Sequence, residues 1–415
     1  MDRRISPMSL LIILTGLNLF NYLDRYILGA VRTPMAAAFG LDYGASGRMF
    51  TVFMLGYFLT APVFGYLGDR GSRKALIALG VFVWSLGTVL TGLAQGFFAL
   101  LCFRAVVGVG EASYGSLSPG LISDAWSPAK RNMALTVFYI AIPVGSAAGY
   151  MLGGEIAVHW GWRCAFYVAG APGLLLALVL LPFKEPARGE SEGASAQGAG
   201  KAGLRDILRL FANADYSLVV WGYVAYTFAL GAFAFWGPTF LEKVHGLALD
   251  RADNFFGAVL IVAGVVGSLL GGLLGTRWQR RTSAGYALLL ASSVALSVPL
   301  AFCAVLAAGA ALSMAFLAGS IFLLFFITGP VNTLILETVA VNVRSSAMAV
   351  SILMIHLFGD LYSPEIVGRL ADRVAGDLQR AMLLLPAVLL VAACVWTVLA
   401  AKTLKAQAAA GGVRP

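Results

Sequence analysis

The chain has 415 residues, of which 60% are hydrophobic and 12% are charged, and its formal net charge is +9. Soluble domains carry about 25% charged residues, so this composition excludes an ordinary soluble protein. The positive charge does not indicate nucleic-acid binding, because the Lys and Arg residues fall mainly in short segments between apolar stretches. Apolar stretches of about 20 residues recur from end to end and predict a helical protein that crosses a membrane many times.

We predict an all-α membrane protein whose twelve spans form two six-helix bundles. The spans cover residues 9–31, 47–67, 75–94, 97–121, 132–153, 164–182, 215–239, 254–275, 284–307, 312–336, 346–367 and 379–400. Residues 183–213 are rich in Gly, Ser, Ala, Glu and Lys, which is typical of a linker. They separate an N-terminal bundle, residues 1–182, from a C-terminal bundle, residues 214–415.

The basic residues predict the orientation of the chain. With the N-terminus in the cytoplasm, the cytoplasmic segments hold 19 Lys and Arg residues and the opposite side holds 8. Because cytoplasmic loops carry the excess of positive charge, both termini are expected in the cytoplasm. We expect an integral, multi-pass protein of a bacterial-type inner or plasma membrane.

The fourth span contains Arg104 and Glu111 within an apolar run. A charge at the bilayer centre costs roughly 2.5–3.5 kcal/mol on insertion scales, so such residues mark a pathway or a pair inside the bundle. Their seven-residue spacing puts both side chains on one helix face, about 10 Å apart along the axis. Gly108 and Gly110 between them would allow another backbone to approach closely. The alternative is an ion pair with a structural role only.

The first span adds Asp24 and Arg25. Asp24 lies about 22 Å above the cytoplasmic end of its span, and Arg104 lies about 10 Å below the outer end of span four. In a hydrocarbon core of about 30 Å these depths nearly coincide, so we predict that Asp24 and Arg104 pair near the outer part of a cavity. Glu111 would lie deeper, close to the midplane. Arg25 points about 100° away from Asp24, so it either lines the cavity or reaches toward the opposite half.

The two halves repeat a Gly-rich, basic segment. Gly65–Lys74 joins spans two and three, and Gly271–Arg281 joins spans eight and nine. Lys130–Ala134 and Arg344–Ala349 likewise open spans five and eleven. Two matching halves imply a pseudo-two-fold axis along the membrane normal, with a substrate site between the halves near mid-depth.

The Gly65–Lys74 segment, together with the six-plus-six layout, resembles the signature of the major facilitator superfamily. The resemblance implies that Asp69 latches the cytoplasmic side by holding the start of span eleven and a basic residue, for which Arg131 is our candidate. A carboxylate near a helix N-terminus is favoured by the unpaired N–H groups there. The second copy has Thr276 in place of the acidic residue. The gating motif therefore comprises Gly65, Asp69, Arg70, Arg73 and Arg131.

A narrower resemblance is to the spinster branch of that superfamily. It is carried by Asn21–Tyr26 in span one, by Gly108–Tyr114 in span four, and by His356–Asp360 with Ser363-Pro364 in span eleven. Members of this branch export lysolipids and sphingoid phosphates, and a proton-coupled mechanism has been proposed for some of them. The resemblance therefore implies alternating-access transport of an amphipathic, lipid-like solute.

The residue types suggest separate roles in such a site. Guanidinium groups match phosphate or carboxylate, so Arg25 and Arg104 are candidates for an anionic head group. Asp24 and Glu111 are candidates for the coupling proton, since a carboxylate that exchanges an Arg partner for an apolar setting binds a proton. Three aromatic residues are candidate contacts for the solute: Tyr22, Tyr26 and Tyr114. His356 and Asp360 form either a second relay or a polar pair that supports packing.

Three other functions compete with lipid transport. A non-transporting receptor or scaffold would bind a ligand without flux, and the internal repeat and the buried charges argue against it. A broad drug or organic-anion exporter would use the same scaffold. A membrane-embedded enzyme of lipid metabolism would need a nucleophile with a base, or a metal cluster, and neither that nor a P-loop stands out. We therefore expect no enzyme activity, no cofactor and no metal. The expected partners are a small amphipathic solute, protons and membrane lipids, with no nucleic acid and with the protein as a monomer.

Overall fold

We describe a computed structural model of the chain, which covers residues 3–180, 182–186, 210–340 and 343–409. Nearly all of these residues are helical. Two strands of two residues each, β1 (Arg3–Arg4) and β2 (Phe183–Lys184), pair in parallel, with Arg3 opposite Phe183. The chain that leaves the sixth span is therefore joined to the N-terminal segment, which the sequence did not predict.

The helices before the linker follow the predicted spans closely. They are α1 (Pro7–Ala30), α2 (Arg32–Phe39), α3 (Tyr43–Arg70), α4 (Arg73–Leu93), α5 (Phe97–Ala125), α6 (Pro128–Trp160) and α7 (Trp162–Leu180). The short α2 was not predicted as a separate helix. Side-chain caps fix several starts: Ser6 accepts a hydrogen bond from the Ser9 N–H at α1, and Ser72 from the Ala75 N–H at α4.

After the linker, irregular turns divide several spans into two shorter helices. The helices in this part are α8 (Ala214–His245), α9 (Leu249–Val262), α10 (Ser268–Arg281), α11 (Gly285–Leu306), α12 (Ala310–Leu324), α13 (Thr328–Glu337), α14 (Arg344–Met354), α15 (Ser363–Arg373), α16 (Leu378–Met382) and α17 (Leu384–Ala409). π-Helical turns at Ala263–Gly267 and Ile355–Asp360 interrupt two predicted spans, and a 3₁₀ turn at Phe325–Ile327 interrupts a third.

Each of the twelve predicted spans corresponds to one helix or one nearly continuous helical run. In the described ranges, ten helical segments are long and apolar enough to cross a membrane, and Trp162–Leu178 is apolar but shorter. The remaining span is α1, which carries Asp24 and Arg25. The protein is an all-α, multi-pass membrane protein, as its composition predicts.

The chain divides into two compact units. The first comprises Met1–Gly198 with Ala248–Gly257, and the second comprises Ala199–Leu247 with Ala258–Pro415. The first turns of α9 therefore group with the first unit, although the sequence suggested a division at residues 182 and 214. In the first unit, α3 and α4 pack against α5, α1 packs against α6, and α4 packs against α7. In the second unit, α17 packs against α8 and α11, and α11 also packs against α12.

Two glycines bring α5 into backbone contact with its neighbours. A Cβ atom on Gly108 would overlap the carbonyl oxygen of Phe53 in α3, and one on Gly110 would overlap the backbone of Trp84 in α4. The close approach predicted from the sequence is confirmed. Because α5 lies directly against α3 and α4, the charged side chains beside these glycines are shielded from solvent.

Candidate functional site

Asp24 and Arg104 face each other in the interior of the first unit. Asp24 Oδ1 lies 3.7 Å from Arg104 Nη1, and each side chain is at most 2% exposed. The geometry agrees with the pairing that the depths along the two helices predict. Two buried charges are tolerated only when they are paired and hydrogen-bonded, so the pair needs further partners.

Those partners come from α4, and they were not predicted from the sequence. Thr88 Oγ1 donates a hydrogen bond to Asp24 Oδ2. Arg104 donates from Nη2 to Thr91 Oγ1 over 2.9 Å and lies 5.3 Å from the centre of the Phe166 ring. A signal was present, because the two threonines are spaced by three residues and so share a helix face in an otherwise apolar span.

A second ion pair joins α1 to α5. Arg25 Nη2 donates to Glu111 Oε2 over 2.6 Å, with the Arg25 side chain 17% exposed and the Glu111 side chain fully buried. From its position in α1, Arg25 is expected to line a cavity or to reach the opposite half, and its pairing with Glu111 was not predicted. The structure makes Arg25, rather than Arg104, the cation that is both paired with a carboxylate and partly accessible.

Aromatic rings surround the Arg25 guanidinium. Its Cζ atom lies 5.1 Å from the centre of the Tyr22 ring, 5.2 Å from that of Phe53 and 5.6 Å from that of Tyr57. Such distances are those of cation–π contacts. Tyr22 was a predicted site residue, whereas Phe53 and Tyr57 of α3 were missed because nothing in their own span distinguishes them from packing aromatics. Tyr26 packs edge-on against Tyr150, with 5.3 Å between ring centres.

Two predicted contacts of the solute, Arg104 and Tyr114, are buried in this structure, and their role in solute binding stays a prediction. The Arg104 side chain is 2% exposed. Tyr114 is 1% exposed, and its hydroxyl donates to the backbone carbonyl of Leu14. Both residues were assigned to solute binding from sequence position alone. In this structure they are packed into the interior because α1 and α4 cover that face of α5.

The Gly65–Lys74 motif is mainly helical and is not a loop. Gly65 and Arg70 belong to α3, which ends at Arg70, and Arg73 already begins α4. Arg70 stacks on Tyr66, with its Cζ atom 3.6 Å from the ring centre. The side chains of Asp69 and Arg131 lie outside the described part of the structure, so their pairing stays a prediction.

Arg73 joins three segments at one end of the first unit. Its Nη1 donates to Asp124 Oδ2 at the end of α5 over 2.5 Å, and its Nε donates to Glu185 Oε1 over 2.9 Å. Glu185 also accepts hydrogen bonds from the Ser72 hydroxyl and the Lys74 N–H. Burial alone would raise the pKa of Glu185, but these hydrogen bonds outweigh it and hold the pKa below its usual value.

His356 and Asp360 lie in the π-helical turn of the second unit. His356 Nδ1 is 3.0 Å from Asp360 Oδ1, and the side chains are 30% and 16% exposed. This confirms that the two residues are neighbours on one face. Gly359 in the same turn packs closely against Val224 and Thr227 of α8. The pair is more accessible than the two ion pairs that join α1 to α5.

Comparisons with known proteins agree with this architecture. A profile of the Major Facilitator Superfamily matches residues 14–364. The protein spinster homolog 3 of Danio rerio is 35% identical over 382 residues, which cover 88% of this chain and 76% of the relative. The human protein spinster homolog 1 is 33% identical over 384 residues, covering 87% of this chain and 72% of the relative.

A solved structure shows the same fold. The crystal structure of a bacterial homologue of the human lysosomal transporter spinster, in an inward-facing and unoccupied conformation, is 25% identical and gives a TM-score of 0.85. The alignment covers 96% of this chain and 98% of that one. The match to the superfamily spans most of the chain, and the spinster relatives exceed 30% identity over most of their length. The chain therefore belongs to the Major Facilitator Superfamily and, within it, to the spinster family of membrane transporters.

Proposed function

We propose that this transporter moves an amphipathic, anionic, lipid-like solute of the lysophospholipid or sphingoid phosphate type by alternating access, and that the movement is coupled to protons. The observation that carries the proposal is the Arg25–Glu111 pair. One partner is partly exposed and the other is fully buried. A solute can therefore reach the cation, while the carboxylate stays in the protein interior.

The surroundings of Arg25 suit a charged head group with an apolar continuation. A guanidinium can donate two parallel hydrogen bonds to a phosphate or carboxylate. The rings of Tyr22, Phe53 and Tyr57 hold the guanidinium in place and add apolar surface next to it. Tyr26, one turn of α1 beyond Tyr22, extends this surface. An anion with an attached hydrocarbon chain would therefore find both kinds of contact in one place.

Proton coupling follows from the cost of separating the pair. If the solute anion takes the Arg25 guanidinium, Glu111 is left as a buried carboxylate without its partner. Such a group costs several kcal/mol and becomes neutral by binding a proton. Solute binding and proton uptake at Glu111 would then favour each other. Asp24 is the second candidate for the proton, but its partner Arg104 is too deeply buried for a solute to displace it directly.

The test uses purified protein reconstituted into liposomes. Uptake of a radiolabelled lysophospholipid and of a sphingoid phosphate is measured with and without an imposed proton gradient. Glu111→Gln should keep binding but lose the dependence of uptake on the gradient. Arg25→Ala should weaken binding by about 10- to 100-fold, the effect of one charge-assisted hydrogen bond to an ionised group.

The matched control is Arg380→Ala, which removes an arginine from the exposed pair with Asp377 and should leave uptake unchanged. Thermal stabilisation by the same lipids, by sugars and by a cationic dye is compared in parallel. Gradient-dependent uptake that survives in Glu111→Gln would refute the coupling role. Stabilisation by a sugar or a cationic dye, without stabilisation by either lipid, would refute the solute class.

A further inference from the structure

The contacting helices α1 and α5 carry buried polar atoms that have no hydrogen-bond partner of good geometry among the described residues. These atoms are Thr15 Oγ1 and Asn21 Nδ2 of α1, and Glu111 Oε1 and Ser118 Oγ of α5. Asn21, Glu111 and Ser118 are each at most 4% exposed. A buried polar group without a partner costs about 1–3 kcal/mol, so four on two contacting helices require an explanation.

The four atoms fall at two levels along the antiparallel helices. Asn21 is fourteen residues from the start of α1 and Glu111 fourteen from the end of α5, which places both about 21 Å from that side. Thr15 and Ser118 are eight and seven residues from the same helix ends, at about 10–12 Å. The Asn21 amide interacts with the Glu111 carboxyl, although its Nδ2 forms no well-aligned hydrogen bond.

Tyr114 bridges the two levels. It lies between Glu111 and Ser118 on α5, and its hydroxyl donates to the Leu14 carbonyl of α1. This hydrogen bond shows that the two helices are in contact at this height. The hydroxyl oxygen can still accept a hydrogen bond, and it interacts with Ser118 on the side away from Glu111. Polar atoms therefore follow one another along the interface from Ser118 to Glu111.

We propose that water molecules bind between α1 and α5 at these two levels and conduct protons between Glu111 and the side of the protein at which α1 begins. Buried waters typically make about three hydrogen bonds to polar groups that would otherwise lack partners. The proposal rests on the role of Glu111 in the proposed function and adds the route by which its proton travels.

The other charged and titratable groups that interact with Glu111 come from three helices. Arg25 and Asp24 approach from α1, Tyr57 from α3 and Arg104 from its own helix. Glu111 Oε2 is bound by Arg25, so Oε1 is the oxygen that remains for a proton. A hydronium ion at the inner water would give its proton to Oε1, leaving a neutral carboxylic acid and a water molecule. Solute and proton would thus approach Glu111 from different sides.

Paired variants test the route by removing a hydroxyl in one variant and keeping it in the other. Ser118→Val and Ser118→Thr add the same number of atoms, but only threonine keeps the hydroxyl. Thr15→Val keeps the size of the native side chain and removes the hydroxyl, whereas Thr15→Ser removes the methyl group and keeps the hydroxyl. Infrared difference spectroscopy after a pH jump follows protonation of the Glu111 carboxyl in the full protein, and loss of the band in Glu111→Gln identifies it.

The valine variants should protonate Glu111 about tenfold more slowly, the effect of one lost hydrogen bond, while Ser118→Thr and Thr15→Ser stay close to the native rate. Thermal unfolding checks that each variant is folded. If Ser118→Val does not fold, the Thr15 variants still test the route. Equal rates within both pairs would overturn the water route and leave the role of Glu111 intact. A native protein without the Glu111 band would overturn both.

Discussion

The two units differ in where they place charge and where they interrupt their helices. In the first unit, two ion pairs lie within membrane-spanning helices, Asp24–Arg104 and Arg25–Glu111, on α1 and α5, which run as regular α-helix throughout the described residues. In the second unit, π-helical or 3₁₀ turns interrupt three spans. There the side chains of the pair at the π turn, His356 and Asp360, are 30% and 16% exposed.

Among the described residues, the two ion pairs between α1 and α5 and the irregular helical turns therefore lie in different units. A buried ion pair is stable only while its geometry is kept, so it needs continuous helices held close together. Gly108 and Gly110 supply that contact in the first unit. π-Helical turns free backbone groups and mark places where a helix bends, which suits a unit with fewer charges to hold. We therefore expect stability to depend more steeply on single residues in the first unit.

The largest effect is expected at the most deeply buried pair. Asp24→Leu leaves Arg104 charged and without its carboxylate, which should lower the free energy of unfolding by about 3–5 kcal/mol. The double variant Asp24→Leu with Arg104→Met should be more stable than either single variant, because no charge is left unpaired. Thermal unfolding in detergent measures both.

The control for this prediction is Asp377→Ala, which breaks the exposed pair with Arg380 and should cost less than about 1 kcal/mol. If Asp24→Leu were no more destabilising than Asp377→Ala, the buried pair would not hold the first unit together, and the contrast between the units would fail.

A smaller loss of stability is expected when the glycines at helix contacts are replaced. One such glycine from each unit allows the packing of the two units to be compared. Gly108→Ala places a methyl group on the Phe53 carbonyl and should cost about 1–3 kcal/mol by overpacking. Gly359→Ala in the second unit should cost less, because its Cβ would lie 3.1 Å from Thr227 Cβ and Val224 O, where small shifts relieve the contact.

Gly65→Ala is the control, since a Cβ there meets no atom within 4 Å. It should be neutral or stabilising by up to about 1 kcal/mol through helix propensity. The same unfolding measurement ranks the three variants. A cost at Gly359 equal to that at Gly108 would show that the second unit is packed as rigidly as the first.

The smallest effect is expected at the π turn. Asp360→Asn keeps the size of the side chain and removes its charge next to His356, in a pair that solvent partly reaches. The free energy of unfolding should change by less than about 1 kcal/mol, as for other accessible ion pairs. Unfolding of Asp360→Asn is compared with that of Asp24→Leu. A loss as large as the one at Asp24 would contradict the view that the second unit does not depend on its charges.

The pairing of Asp24 with Arg104 was predictable because the depth of a residue in the membrane depends only on its position along its own helix. The position of Asp24 and Arg104 along their own helices fixes their height in the membrane, since each residue adds a constant rise. The pairing was predictable from this arithmetic once the spans were placed. The pairing of Arg25 with Glu111 was not, because it depends on how far each helix is rotated about its axis and on which neighbours lie beside it.

The same distinction applies to the burial of Arg104 and Tyr114. Their types and positions are those of solute contacts, but α1 and α4 cover the face of α5 on which they lie. Thr88, Thr91, Phe53 and Tyr57 are ordinary residues of apolar spans until α3 and α4 are packed against α5. Glu185 lies after the sixth span, more than a hundred residues from Arg73, and only the fold makes it a partner of that arginine.

The sequence by itself determined the class of protein, the twelve spans and the residues that must be sheltered from lipid, because apolar length and the cost of charge act on each segment separately. The tertiary structure decided which charged group meets which, which of them stays accessible, and where the helices depart from regular α-helix. These features arise from contacts between segments that are distant in the chain, and no property of a single segment specifies them.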